Sequence, residues 1–337
     1  MTRFLAQHNT VVDQSTGLEW FRDASRLEFP MTWSEAFASL EAINARALFG
    51  HADWRVPNRR ELFSLISLEA INPSLPAGHP FLRVVTSYYW TSTTCSRLPD
   101  QAWYIHLGGA RVFKGLKNDS YLLWPVRSAQ PGRSAIMQTG QCSCFTQSGE
   151  PIPCQGTGQD GAYRSGRPWP EPRFQEQDGL VLDRLTGLTW TQEGHRPRTM
   201  VSWEEAFQFI HELNAHRVKG LNTWRLPSIV ELESLVDMER HAPALPKGHP
   251  FDHVQDHYWS CTSSRYDLNY AWGLYLKDGA LGVGFKPLQA FSVWAVSSST
   301  LPTDGRVDAG SEGNRRSRTE KAQSNPHRES AAQCHCL

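Results

Sequence analysis

Apolar positions fall at helical spacing twice in the first third of the chain. Trp33, Ala36, Phe37, Leu40 and Ile43 recur at steps of three and four, which predicts an amphipathic helix. Thr32-Trp33-Ser34-Glu35 opens it as a capping box, in which the threonine hydroxyl and the glutamate each satisfy a free backbone N–H. A second helix is predicted from Asn58-Arg59-Arg60-Glu61, with Leu62, Leu65 and Ile66 as its apolar face. Pro57 stands just before that cap, where its missing N–H costs nothing. Elsewhere the spacing shortens to alternation. Thr16–Trp20 reads as a strand, as do the runs through Trp103, Ile105 and Leu107 and through Leu122, Trp124 and Val126. The order is strand, helix, short strand, helix, long loop and several antiparallel strands. That is an α+β unit, two helices packed on a small, mostly antiparallel sheet.

The pattern then repeats. Thr16-Gly17-Leu18-Glu19-Trp20 returns as Thr186-Gly187-Leu188-Thr189-Trp190, an offset of 190 − 20, or 170. Trp33-Ser34-Glu35-Ala36-Phe37 returns as Trp203-Glu204-Glu205-Ala206-Phe207, and Trp54-Arg55-Val56-Pro57 as Trp224-Arg225-Leu226-Pro227. Gly78-His79-Pro80-Phe81 returns as Gly248-His249-Pro250-Phe251. Tyr89-Trp90 and Trp103 return one residue out of phase as Tyr258-Trp259 and Trp272, and Trp124 with Trp294 restores the offset. The second copy therefore has its own helix starts at Ser202 and Ser228. The organisation read from this is a first domain over 1–128, a Gly/Pro/Ser-rich linker over 129–172, a second domain over 173–298 and a disordered polar tail over 299–337.

The string TGLxW, a tryptophan-led helix, WR[LV]P-x-x-x-EL, YW[ST] and a late aromatic strand resemble the Lcl C-terminal domain family, in two tandem copies. That bacterial family, formerly a domain of unknown function, is named for the end domain of a collagen-like adhesin. Thr139-Gly140-Gln141, Gly156-Thr157-Gly158-Gln159-Asp160-Gly161 and Trp169-Pro170 between the copies are also family-like. The order of elements is similar, more distantly, to C-type-lectin-like domains, including the formylglycine-generating-enzyme group. The resemblance implies two lectin-like modules and a non-enzymatic binding function, toward a glycan, a sulfated polysaccharide or a surface protein. The alternatives are an enzyme related to the formylglycine-generating group and a structural or assembly subunit.

Composition narrows the partners. Among 337 residues Lys+Arg and Asp+Glu both number 34, and this zero net charge argues against a general nucleic-acid binder. No run of apolar residues is long enough to cross a bilayer, and the start at Met1 lacks the apolar core of a secretory leader, so a cytoplasmic location is expected of the chain as written. Thirteen tryptophans are expected to pack mainly in the core.

Candidate chemistry is sparse. Arg55 with Glu61, and Arg225 with Glu231, read as ties of strand to helix, since capping already accounts for the glutamates. His79 and His249 sit in a turn-like string with no nucleophile shared by both copies. Acidic residues do not cluster as calcium ligands must, and the sugar-binding strings Glu-Pro-Asn, Gln-Pro-Asp and Trp-Asn-Asp are missing, so neither a metal nor another cofactor is expected. Seven cysteines leave one odd. Cys144 and Cys154 have the spacing for a disulfide, but without a leader they are expected to be reduced; Cys334-His335-Cys336 reads as incidental or thiol chemistry, and Cys95 and Cys261 occupy unmatched positions. A ligand is expected where the copies diverge most, between the second helix and the late strands. The residues are Arg97, Asp100, Tyr104, His106 and Arg111 in the first copy, and Arg265, Tyr266, Asn269, Tyr270 and Lys277 in the second.

Overall fold

The computed structural model describes residues 2–130 and 134–299. The tail beyond Ser299, with Cys334, His335 and Cys336, lies outside the described residues.

The predicted helices begin where their caps place them. Helix α1 (Trp33–Ala45) and α2 (Arg59–Ser64) in the first copy start at Thr32 and Asn58, each in a complete capping box. A short α3 (Asp160–Tyr163) lies between the copies. Helices α4 (Trp203–Ala215) and α5 (Ile229–Ser234) repeat the first pair from Ser202 and Ser228, again with both halves of the box formed. Strands β1 (Phe4–Ala6), β2 (Thr10–Asp13), β3 (Leu18–Phe21), β4 (Tyr88–Thr94), β5 (Gln101–His106), β6 (Arg111–Leu116) and β7 (Val126–Ser128) belong to the first copy. Strands β8 (Cys144–Phe145) and β9 (Pro151–Ile152) lie between the copies. The second copy carries β10 (Phe174–Gln177), β11 (Leu180–Asp183), β12 (Leu188–Thr191), β13 (Arg196–Val201), β14 (His257–Ser263), β15 (Tyr270–Tyr275), β16 (Ala280–Phe285), β17 (Phe291–Val293) and β18 (Val296–Ser297). The strand expected over Thr16–Trp20 begins only at Leu18. Thr16 and Gly17 instead close a turn in which both N–H groups donate to the Asp13 carbonyl, with Gly17 at φ +73°.

The chain is thus mixed α+β in two repeated halves. Each half has a four-stranded sheet, β1-β2-β3-β7 and β10-β11-β12-β18. The late strands of both halves join in one eight-stranded sheet of order β13-β17-β14-β15-β16-β6-β5-β4. The joint is β6 against β16, antiparallel, with Val112 opposite Leu281. Those two residues are each other's counterparts at the shifted offset, 281 − 112, or 169. Equivalent residues therefore face one another, as in an isologous dimer, but within one chain.

The tryptophans build the cores. Trp20, Trp54, Trp90, Trp103, Trp124, Trp190, Trp259 and Trp294 are fully buried. Their indole donors find matching carbonyls in both halves: Trp90 donates to Met31 O and Trp259 to Val201 O, each at 2.8 Å, and Trp54 to Leu48 O and Trp224 to Val218 O, each at 3.0 Å. Even the exception repeats, since Trp20 and Trp190 both bury Nε1 with no hydrogen-bond partner.

The segment between the copies packs along the first. Gln141 pairs its amide with the backbone of Thr94, accepting from the N–H at 2.9 Å and donating to the carbonyl at 2.8 Å. Asp160, wholly buried, accepts from the hydroxyls of Thr93 at 2.6 Å and Thr139 at 2.7 Å. Lys117 donates to Thr146 O at 2.9 Å. Cys144 and Cys154 are joined in a disulfide, which corrects the expectation of reduced thiols; β8 and β9 pair beside them and hold the two sulfurs within bonding reach.

Candidate functional site

The β5–β6 hairpin of the first copy turns at Gly108 and Gly109 and faces the β14–β15 loop of the second. Between them lies a groove of about 610 Å³. Asn72, Tyr88, His106 and Arg111 line it from the first copy, and Tyr266 and Tyr270 from the second, with Trp272 beneath. The glycines make this possible. A Cβ on Gly108 would stand 2.8 Å from the His106 ring, which is held by a 2.6 Å contact from Nδ1 to Gly108 O. Gly109 takes φ +84°, a conformation that favours glycine, and the Tyr266 ring passes over the turn 3.5 Å from where a Cβ would be. Tyr88 packs against His106 with ring centroids 4.5 Å apart and against Tyr104 at 5.0 Å. Burial raises the Tyr104 hydroxyl above its ordinary pKa, so it stays a neutral donor. Tyr266 is 72% exposed, an aromatic face turned to solvent at the groove's edge.

The near-symmetry predicts a second groove at the other end of the joint, and chemistry closes it. At the shifted offset the counterpart of Gly109 is Asp278 and that of Tyr266 is Arg97. Arg97 and Asp278 meet at 3.5 Å, and Lys114 also pairs with Asp278. A tyrosine over a glycine leaves one end open, and ion pairs bridge the other.

Of the ten residues expected to bind ligand, His106, Arg111, Tyr266 and Tyr270 meet in the open groove. Tyr104 stands behind Tyr88. The others lie elsewhere. Arg97 is in the ion pair just described, and Arg265 pairs with Glu69 across the copies. Asp100 accepts from Lys117 N at 2.9 Å, beside the intervening segment. Asn269 accepts from Lys286 N at 2.9 Å, and Lys277 accepts from Ala242 N at 2.8 Å. Tyr104 and His106 lie on β5, the strand expected through Trp103, Ile105 and Leu107, while Arg111 opens β6 and Tyr270 opens β15. Tyr88 and Asn72 were not among the expected residues. Tyr88 opens β4, exposed beside a buried run that starts with Tyr89-Trp90, and burial along that strand does not alternate, so no periodicity singled it out.

The remaining polar motifs are structural ties. Arg55 donates to both oxygens of Glu61 at 2.5 Å, while Glu61 accepts from Asn58 N at 2.9 Å within the cap. His79 and His249 pack beside Phe81 and Phe251, and burial lowers the pKa of both. Cys95 is buried and its thiol is pushed up by desolvation, away from thiolate chemistry. Among the described residues no three His, Cys, Asp or Glu side chains group as metal ligands, and no helix is long and apolar enough to cross a membrane.

The family description Lcl C-terminal domain matches the chain twice, over residues 9–127 and 179–297. No curated protein and no solved structure matches it.

Proposed function

The chain belongs to the Lcl C-terminal domain family, and from that premise we propose that it is a non-enzymatic binding protein of C-type-lectin-like build whose ligand, a glycan, seats in the groove between the copies. One observation carries the reading: divergent residues from both copies, His106, Arg111, Tyr266 and Tyr270, converge on a single open groove. Sugars offer flat C–H faces rimmed by hydroxyls. Tyr266 and Tyr88 supply aromatic surface for the first, and Asn72, His106 and Arg111 supply fixed polar groups for the second. The order of elements in each half, two helices against late antiparallel strands, supports the lectin-like assignment. Because the symmetry-related end is bridged by Arg97, Lys114 and Asp278, the chain binds one ligand, with both copies needed to build the site.

The test is a glycan array followed by calorimetry on the best binder. A stoichiometry of about one per chain is expected, with Tyr266→Ala and Arg111→Ala each weakening binding about tenfold and leaving circular dichroism unchanged. Binding that survives both changes, or two equivalent sites per chain, sinks this assignment.

A further inference from the structure

The intervening segment covers a face of the first copy whose counterpart on the second copy keeps the same groups. In the first copy Trp33, Thr93, Thr94 and Lys117 are buried. Their counterparts Trp203, Thr262, Ser263 and Lys286 are only partly so, and Val230, where the first copy has the buried Arg60, is 53% exposed. The details correspond closely. Lys117 lies 4.1 Å over the Trp33 ring, and Lys286 lies 4.1 Å over Trp203. Thr93 accepts from the first N–H of α2 at 3.0 Å, and Thr262 accepts from the first N–H of α5 at 3.1 Å. Thr93 then donates its own proton to Asp160 at 2.6 Å. Thr262 donates to nothing among the described residues. Thr94 offers its backbone to Gln141, whereas no described side chain meets the backbone of Ser263.

We propose that this face of the second copy binds a polypeptide segment from another chain, one carrying an amide side chain and a carboxylate spaced as in residues 138–165. The amide pairs with the Ser263 backbone, the carboxylate takes the Thr262 hydroxyl, and a backbone carbonyl reaches the Lys286 ammonium. The first copy supplies the argument for this occupant, because the same groups there hold a segment of that chemistry. Phe207 stands where Phe37 does, and Phe37 admits the segment only because Gly158 has no side chain; a Cβ there would lie 2.9 Å from the ring. The partner segment accordingly needs a glycine at that point. Residues 300–337 hold no Thr-Gly-Gln and no Gly-Gln-Asp-Gly string, so the pattern is sought in a second polypeptide. The face shares no residue with the groove, so ligand binding and segment binding are independent.

The probe is a synthetic peptide of residues 138–165, its Cys144–Cys154 disulfide closed, titrated into the full chain by fluorescence anisotropy. Saturable binding at one site per chain is expected. Thr262→Val and Lys286→Glu in the protein, and Gln141→Ala in the peptide, should each weaken it about tenfold, the weight of one or two hydrogen bonds. Circular dichroism should stay unchanged. The absence of saturable binding overturns the proposal. So does binding that ignores Thr262 and Lys286 but falls with Thr93→Val, which would mean exchange onto the first copy.

Discussion

Asp160 is a buried carboxylate with only part of its hydrogen-bonding capacity met. It is fully buried, its Oδ1 has no hydrogen-bond partner, and only Thr93 and Thr139 reach its Oδ2. Desolvation is the largest influence on it and raises its pKa from 3.8 to about 6. The native state therefore binds the proton more tightly than the unfolded chain. The stability this residue contributes is fully present below about pH 3.8 and is lost as pH rises through about 6. Asp160→Asn keeps an oxygen for the two threonines and removes the charge. We expect the variant to gain on the native protein by about 2–3 kcal/mol between pH 4 and pH 8. Urea unfolding of both proteins across that range measures the difference, and parallel pH profiles would show that Asp160 stays hydrated. The sequence marked Asp160 as part of a family-like string, yet not as buried. Burial depends on Thr93, 67 positions away, and no local pattern encodes that contact.

At the scale of the element, the most legible features were those whose cause is local. All four capping boxes formed at Thr32, Asn58, Ser202 and Ser228, because cap and glutamate lie three residues apart and need no tertiary help. Thr32→Ala and Ser228→Ala should each cost about 1 kcal/mol in urea unfolding. Ser228 also receives support from Glu231, which accepts from its N–H at 2.7 Å and is itself held by Arg225, so Glu231→Ala should cost more than Ser228→Ala. Equal losses would mean the Arg225 tie adds nothing to the cap. The Gly/Pro/Ser-rich segment was harder to read. Its composition resembles that of a linker, and its order comes from side chains such as Gln141 that imitate a strand along β4. An amide pairing with a distant backbone leaves no periodicity to detect.

For the molecule as a whole, periodicity reported two units and missed that they share a sheet, since an edge pairing between β6 and β16 adds no pattern to either strand. A different signal was present: charges that break the repeat. Arg59 and Arg60 answer to Ile229 and Val230, Glu233 to Phe63, and Asp278 to Gly109. These unmatched charges meet one another across the joint. Arg60 pairs with Glu233 at 3.1 Å and also donates to Val236 O at 2.8 Å, while Arg59 lies 4.0 Å from Glu233 and 4.3 Å over the Trp103 ring. Burial pushes the Arg59 guanidinium down to about 10, which still leaves it charged at neutral pH. Two first copies placed together would bury four such arginines without a glutamate, and two second copies would bury glutamates without an arginine. The charges thus select the pairing of unlike copies within one chain. Glu233→Ala removes the ion-pair partner of Arg60 and the larger of the two opposite charges acting on Arg59, Asp278 being the other, in a buried interface. Breaking a buried pair from one side costs about 3–5 kcal/mol, since the desolvation already imposed on the arginines is no longer offset. Because the sheet and these charges couple the halves, native unfolding in urea should be a single transition, coincident by tryptophan fluorescence and far-ultraviolet circular dichroism. In Glu233→Ala the midpoint should fall and the two probes should separate as the halves uncouple. A loss under about 1 kcal/mol with coincident probes would mean that strand pairing alone holds the copies together.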